Sequence, residues 1–119
     1  VARFGDGDGL GGKLKGVRIE TRAQSPVVAP SDGKVVFAGP FRGYGLLLII
    51  EHDGGYHTLL GGLARIDSLV GQWVLAGEPV GEMGDDRVSR PSLYVEVRHK
   101  GEPVNPLPWL AAGDRKVSG

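Results

Sequence analysis

The chain has 119 residues, with 14 Lys+Arg against 14 Asp+Glu and no cysteine. That length holds one domain with little core to spare, and the balanced charge removes the bulk electrostatic case for nucleic acid or an anionic membrane. The missing thiols exclude disulfides and any cysteine-based metal site or nucleophile.

No apolar run is long enough to span a bilayer, since the longest, Leu46-Leu47-Leu48-Ile49-Ile50, is only strand length. The 21 glycines and 8 prolines suit short strands and tight turns better than helices. The chain starts at Val1 without an initiator Met or a visible signal peptide, and is read as a piece of something longer.

Along the chain, residues 1–12 form a flexible leading segment. Its Gly5-Asp6-Gly7-Asp8-Gly9 run lacks the bidentate Glu and flanking helices of a calcium loop, so it is read as a linker. Val17 and Ile19 alternate with Arg18 and Glu20, a strand pattern. Lys34 to Ala38 lies between the turn signals Asp32-Gly33 and Gly39-Pro40, and Leu46 to Ile50 reads as a strand buried on both faces. Asp53-Gly54-Gly55 makes a hairpin turn into Tyr56 to Leu60. Leu63 to Leu69 is the one stretch with room for a helical turn, and Val70 to Gly84 reads as two short strands around a turn. A polar loop, Asp85 to Arg90, leads to the last long strand, Leu93 to Arg98. The expected architecture is all-β, a compact, mostly antiparallel sandwich or rolled sheet.

Candidate chemistry is sparse. His52 and His57 flank the Asp53-Gly54-Gly55 turn and can approach across a hairpin together with Asp53; without a third convergent ligand the reading is a surface pair satisfied by water or backbone. His99 is read as a solvated turn residue. Ser92 has no base in view, and Glu96, on the same strand face as Ser92, Tyr94 and Arg98, is read as a partner for Arg98 or Arg18. Trp73 and Trp109 are assigned to core and edge packing.

Several ordered blocks between Lys13 and Leu110 resemble the LytM/lysostaphin-type peptidoglycan metallopeptidases. Lys15-Gly16-Val17-Arg18-Ile19 is similar to that family's His-x-Gly-x-Asp zinc motif, and Pro26 to Val35 to its Val-x-Ala-x-x-Asp-Gly-x-Val hairpin. Tyr44 to His52 is similar to its Gly-x-x-Val-x-Ile-x-His strand, and Val70-Gly71-Gln72 with Ala76-Gly77-Glu78 to its Val-Gly-Gln turn. Arg90 to Arg98 resembles the strand that carries the His-x-His ligands.

The resemblance implies a LytM-type (duplicated-hybrid-motif) domain over residues 13–111, followed by a tail at 112–119. It also places the family's functional positions. The first histidine falls on Leu14, the aspartate on Arg18, a non-ligand histidine on Gly62, and the two final histidines on Ser92 and Tyr94. Zinc hydrolysis needs about three protein ligands and an open position for water. The expectation is therefore no metal, no cofactor and no catalytic residue.

Within the family, Phe41 to Gly45, Pro91 to Tyr94 and Val104 to Leu110 look most like EnvC-type murein hydrolase activators. The resemblance implies a partner, a zinc-dependent N-acetylmuramoyl-L-alanine amidase whose autoinhibitory helix is displaced on docking during cell separation. It implies a groove formed by Lys15, Arg18, Tyr44, Leu47, Tyr94 and Arg98, with Lys15 and Arg18 on the wall opposite Tyr94. It further implies a periplasmic location, a coiled coil elsewhere in the full-length protein, and peptidoglycan as a possible second partner. Arg18 departs from the apolar residue usual at such a position. The alternatives carried forward are passive peptidoglycan binding, an active zinc endopeptidase, and a carrier module of the biotinyl or lipoyl kind, for which the expected lysine near Met83 is absent.

Overall fold

The computed structural model describes residues 16–85 and 91–106. Leu14, Lys15 and Trp109, with the leading segment and the tail, lie outside the described residues. In chain order the described residues form β1 (Val17–Glu20), β2 (Pro26–Val28), β3 (Gly33–Phe41), β4 (Gly45–His52), β5 (Tyr56–Leu63), β6 (Arg65–Ile66), β7 (Trp73–Val74), β8 (Pro79–Glu82), β9 (Ser92–His99) and β10 (Glu102–Val104), with a 3-10 turn at Asp53–Gly55. A seven-stranded antiparallel sheet runs β1-β9-β5-β4-β3-β7, with β10 also on β9, and a three-stranded sheet runs β2-β8-β6. The expected all-β, antiparallel architecture is the one observed.

Side-chain parity explains where the core lies. Val17, Val35, Leu48, Ile50, Leu60 and Val95 face inward from the large sheet and meet Val27, Ala29, Val80 and Met83 around the small one. Leu48 and Ile50 are wholly buried, and each such side chain is worth about 2 kcal/mol of apolar transfer. On the opposite face of the same strands Leu47 is buried as well, so β4 is covered on both sides, as its unbroken apolar run suggested. That second, outer face carries the groove described below.

Two expectations change. Leu63 to Leu69 holds no helical turn: Arg65 and Ile66 pair with Glu82 and Gly81 of β8, so their backbone groups are spent on a sheet. The two short strands of the 70–84 unit are present, but they pair away from each other, β7 with β3 and β8 with β2 and β6. Trp73 sits on the edge strand β7 and is 56% exposed, an edge residue without core burial.

His52 ties the sheet to the Asp32-Gly33 turn. Its Nδ1 lies 2.7 Å from the Asp32 carbonyl, which can only accept, so Nδ1 carries the proton and Nε2 accepts from the Thr58 hydroxyl at 2.7 Å. Asp32 Oδ1 in turn accepts from the Ala76 amide at 2.7 Å. Gly33 permits this approach, since a Cβ there would stand 2.5 Å from the Glu51 carbonyl oxygen and 2.8 Å from His52 Nδ1. His52 is thus a buried structural histidine, not half of a surface pair. Burial holds its pKa below the ordinary 6.5, with the Asp32 hydrogen bond opposing in part.

The unfolded chain therefore takes up this proton at a higher pH than the folded one. The stability contributed is fully present above the unfolded value and falls as pH drops through 6.5 towards the folded value. Denaturant midpoints measured from pH 7.5 down to 5 are expected to decline. The decline should be shallower in His52→Gln, which starts from a lower stability; an equal slope in both proteins would assign the loss to other groups.

Candidate functional site

β9 lies between β1 and β5, and this order assembles the site. Arg18 is directly opposite Tyr94, Glu20 opposite Ser92, and Gly61 opposite Tyr94 from the other side. Arg18, Gly62, Ser92 and Tyr94, which are far apart in sequence, thus meet on three adjacent strands. Arg18 stands beside Tyr94 on the neighbouring strand rather than across a groove, its guanidinium carbon 5.3 Å from the Tyr94 ring centre, a cation–π contact.

Gly61 and Gly62 shape the surface locally. A β-bulge falls where Leu46 pairs Leu63 and Leu47 pairs Gly61, which leaves Gly62 as the extra residue, with φ of +84°. The Gly62 amide donates to the Tyr44 carbonyl at 2.8 Å, and the Tyr44 ring packs over Gly61, where a Cβ would lie 3.4 Å from ring Cδ1. The glycine pair is a seat for Tyr44. From there a line of rings extends across the outer face. Tyr94 and Tyr44 have centroids 5.6 Å apart, Tyr44 and Phe41 5.8 Å, and Phe41 and Phe37 5.8 Å.

Beside this line is a groove of about 260 Å³, lined by Phe41, Tyr44, Leu47, Ile49, His57, Leu59 and Arg98. Of the residues assigned from sequence, Tyr44, Leu47 and Arg98 line it. Tyr94 is adjacent but only 8% exposed, covered by Tyr44 and Arg18, and Leu47 is floor at 1%. The lining residues Phe41, Ile49, His57 and Leu59 were missed, as was Phe37 at the end of the line of rings. Strand parity was part of the signal: Leu47 and Ile49 share one face of β4, and His57 and Leu59 one face of β5, but the bulge at Val36 turns Val35 inward and Phe37 outward although both are odd-numbered.

Glu96 lies on β9 beneath these residues, with its side chain fully buried. Its Oε1 accepts from the Tyr94 hydroxyl at 2.7 Å, and its Oε2 accepts a short hydrogen bond from Arg98 Nε. The choice between Arg98 and Arg18 as its partner is settled for Arg98. Burial first, then the Glu96 hydrogen bond, raises the Tyr94 pKa above the usual phenol range, and burial with the Glu96 charge raises that of Tyr44. The Glu96 hydrogen bond is the main reason Arg98 holds its proton more tightly than usual.

The other histidines do not converge. His57 pairs with Glu51 at 3.4 Å on the outer face, opposite the face that carries His52. His99 ends β9, stacks on Tyr56 at 4.2 Å and lies 3.1 Å from the Gly54 carbonyl, so it is a packed strand residue rather than a solvated turn residue. The side chains at the positions where the resemblance expects ligands are engaged otherwise: Arg18 is a cation, and the Tyr94 hydroxyl donates to Glu96. Among the described residues no group of three or more His, Asp or Glu side chains is placed to hold a metal ion.

The sequence model of Peptidase family M23 matches residues 12–106. The chain is 39% identical over 111 residues to the lipoprotein NlpD/LppB homolog of Pseudomonas aeruginosa, covering 92% of this chain and 36% of that protein. It is 40% identical over 107 residues to the murein hydrolase activator EnvC of Escherichia coli, covering 87% and 26%. It therefore spans well under half the length of either curated relative. Among solved structures, the catalytic domain of the antimicrobial peptidase lysostaphin from Staphylococcus simulans superposes with a TM-score of 0.74 at 26% identity, covering 86% of this chain and 82% of that one. By this match along the sequence and this agreement in fold, the chain belongs to peptidase family M23, as a LytM-type domain.

Proposed function

We propose that this domain is a non-catalytic LytM module that binds and activates a zinc-dependent N-acetylmuramoyl-L-alanine amidase, in the periplasm, during cell separation. The observation that carries this reading is the contrast within one site. The positions where the family resemblance puts ligands hold Arg18, Ser92 and Tyr94, while the groove beside them keeps apolar walls and a fixed cation, Arg98. Such a groove suits a protein segment with apolar anchors, and Tyr and Arg are residue types that dominate interface hot spots. The name of the EnvC relative, a murein hydrolase activator, supports the same reading. The thermodynamic requirement is that the domain binds the open amidase more tightly than the closed one; equal affinity for both would shift nothing.

The test is release of dye from labelled sacculi by purified amidases, with and without this chain, alongside metal analysis of the chain itself. The expected outcome is stimulation of at least one amidase, no release by the chain alone, and no stoichiometric zinc. Release by the chain alone with bound zinc would make it an endopeptidase. Sedimentation with sacculi and no stimulation of any amidase would make it a passive peptidoglycan-binding module.

A further inference from the structure

The most deeply buried charge of the site belongs to a residue that no partner can touch. Both carboxylate oxygens of Glu96 are occupied, one by Tyr94 and one by Arg98, and its side chain has no exposed surface. Each of those bonds orients a different side chain. The first fixes the Tyr94 ring against which Tyr44 packs and over which Arg18 lies. The second engages Arg98 through Nε, so the terminal nitrogens of its fork are directed to the Tyr44 hydroxyl and the groove that both residues line.

We infer that Glu96 is a positioning residue for recognition: it holds Tyr94 and Arg98 in their binding arrangement before a partner arrives. A free arginine must lose its rotamer freedom on binding, whereas one already clamped has lost it on folding. Such preorganisation is worth up to about tenfold in affinity for each flexible side chain. A purely structural role is the weaker account. Buried ion pairs contribute little net stability against apolar replacements, and Arg98, with 32% of its side chain exposed, can turn to water if Glu96 is lost. The raised pKa of Tyr94, due partly to Glu96, agrees with the hold. The inference rests on the activator reading for the identity of the partner, and on the geometry alone for the hold.

The test compares the unaltered chain with Glu96→Leu and Glu96→Gln. The first readout is amidase stimulation as a function of chain concentration, using an amidase that responds to the unaltered chain. Glu96→Leu should raise the half-maximal concentration about tenfold while leaving maximal stimulation unchanged. Glu96→Gln should stay within about threefold, because its amide oxygen still accepts from Arg98 Nε and its amide nitrogen can donate to the Tyr94 hydroxyl. The second readout, which needs no partner, is tyrosinate absorbance against pH; Glu96→Gln should lower the pH at which the most resistant tyrosine ionises. A half-maximal concentration unmoved by Glu96→Leu overturns the inference. If Glu96→Leu does not fold, the Gln variant decides: a tyrosinate curve that superposes on that of the unaltered chain overturns the hold itself. If the unaltered chain stimulates no amidase, the activator reading fails first and takes the role in recognition with it, whatever the tyrosinate curve gives.

Discussion

Arg98→Ala is expected to lose more than about 30-fold in amidase stimulation, the scale of a hot-spot residue, and to lower fold stability by about 3 kcal/mol. The two losses have different causes. The functional one follows from removing the cation that lines the groove. The stability loss follows from Glu96, whose buried carboxylate would keep the Tyr94 hydroxyl but lose its counter-charge. For a domain of this size that is a fall of roughly 10–15 °C in melting temperature. A single variant that loses activity would therefore be ambiguous. Combining it with Glu96→Leu removes the orphaned charge and should restore most of the melting temperature without restoring stimulation. If stimulation returns together with stability, Arg98 makes no contact that matters to the partner. Tyr94→Ala carries the same ambiguity for another reason: Tyr94 is 8% exposed, and deleting a buried aromatic ring leaves a cavity that costs about 3–5 kcal/mol.

Gly62→His, which supplies the histidine that the resemblance expects at this position, is expected to destabilise the domain by at least ~2 kcal/mol and to confer no hydrolysis. At φ of +84° a residue with a Cβ is strained by about 1–3 kcal/mol, and the added Cβ would stand 2.7 Å from the Ser92 carbonyl oxygen. The bulge would have to open between β5 and β9, and the Gly62 amide that anchors the Tyr44 loop would move with it. Chemical denaturation measures the first effect, and zinc content with dye release measures the second. A variant as stable as the unaltered chain would show that the bulge is soft. Histidine-dependent hydrolysis by the variant would overturn the second expectation and show that the rest of the site still supports catalysis.

How far the site was legible in sequence is clearest along β9. Alternation placed Ser92, Tyr94, Glu96 and Arg98 on one face, and the bonds of Tyr94 and Arg98 to Glu96 agree, because a period of two is a local property of an extended backbone. Alternation is silent on depth. It treats Tyr94 and Arg98 alike, yet Tyr94 is buried beside the groove and Arg98 lines it, since depth depends on what packs above: Tyr44 from the β3–β4 loop and Arg18 from β1. Glu96 shows the same limit. Its face was readable, but its full burial and its two hydrogen bonds follow from Leu59 opposite and Tyr94 and Arg98 on either side.

The sequence by itself determined the long strands, the glycine-marked turns and the all-β class, because these depend on side-chain period and on which residues tolerate positive φ; the short β6 and β10 were not legible there. The residue types at the resemblance's ligand positions were also visible there, since identity needs no coordinates. Only the tertiary structure decided that β1, β9 and β5 are neighbours, that Gly62 is the extra residue of a bulge, and that Phe37, Phe41, Tyr44 and Tyr94 form one line of rings. Those facts depend on pairings between strands distant in sequence, and such pairings are selected by the burial of the whole sheet rather than by any local run of residues.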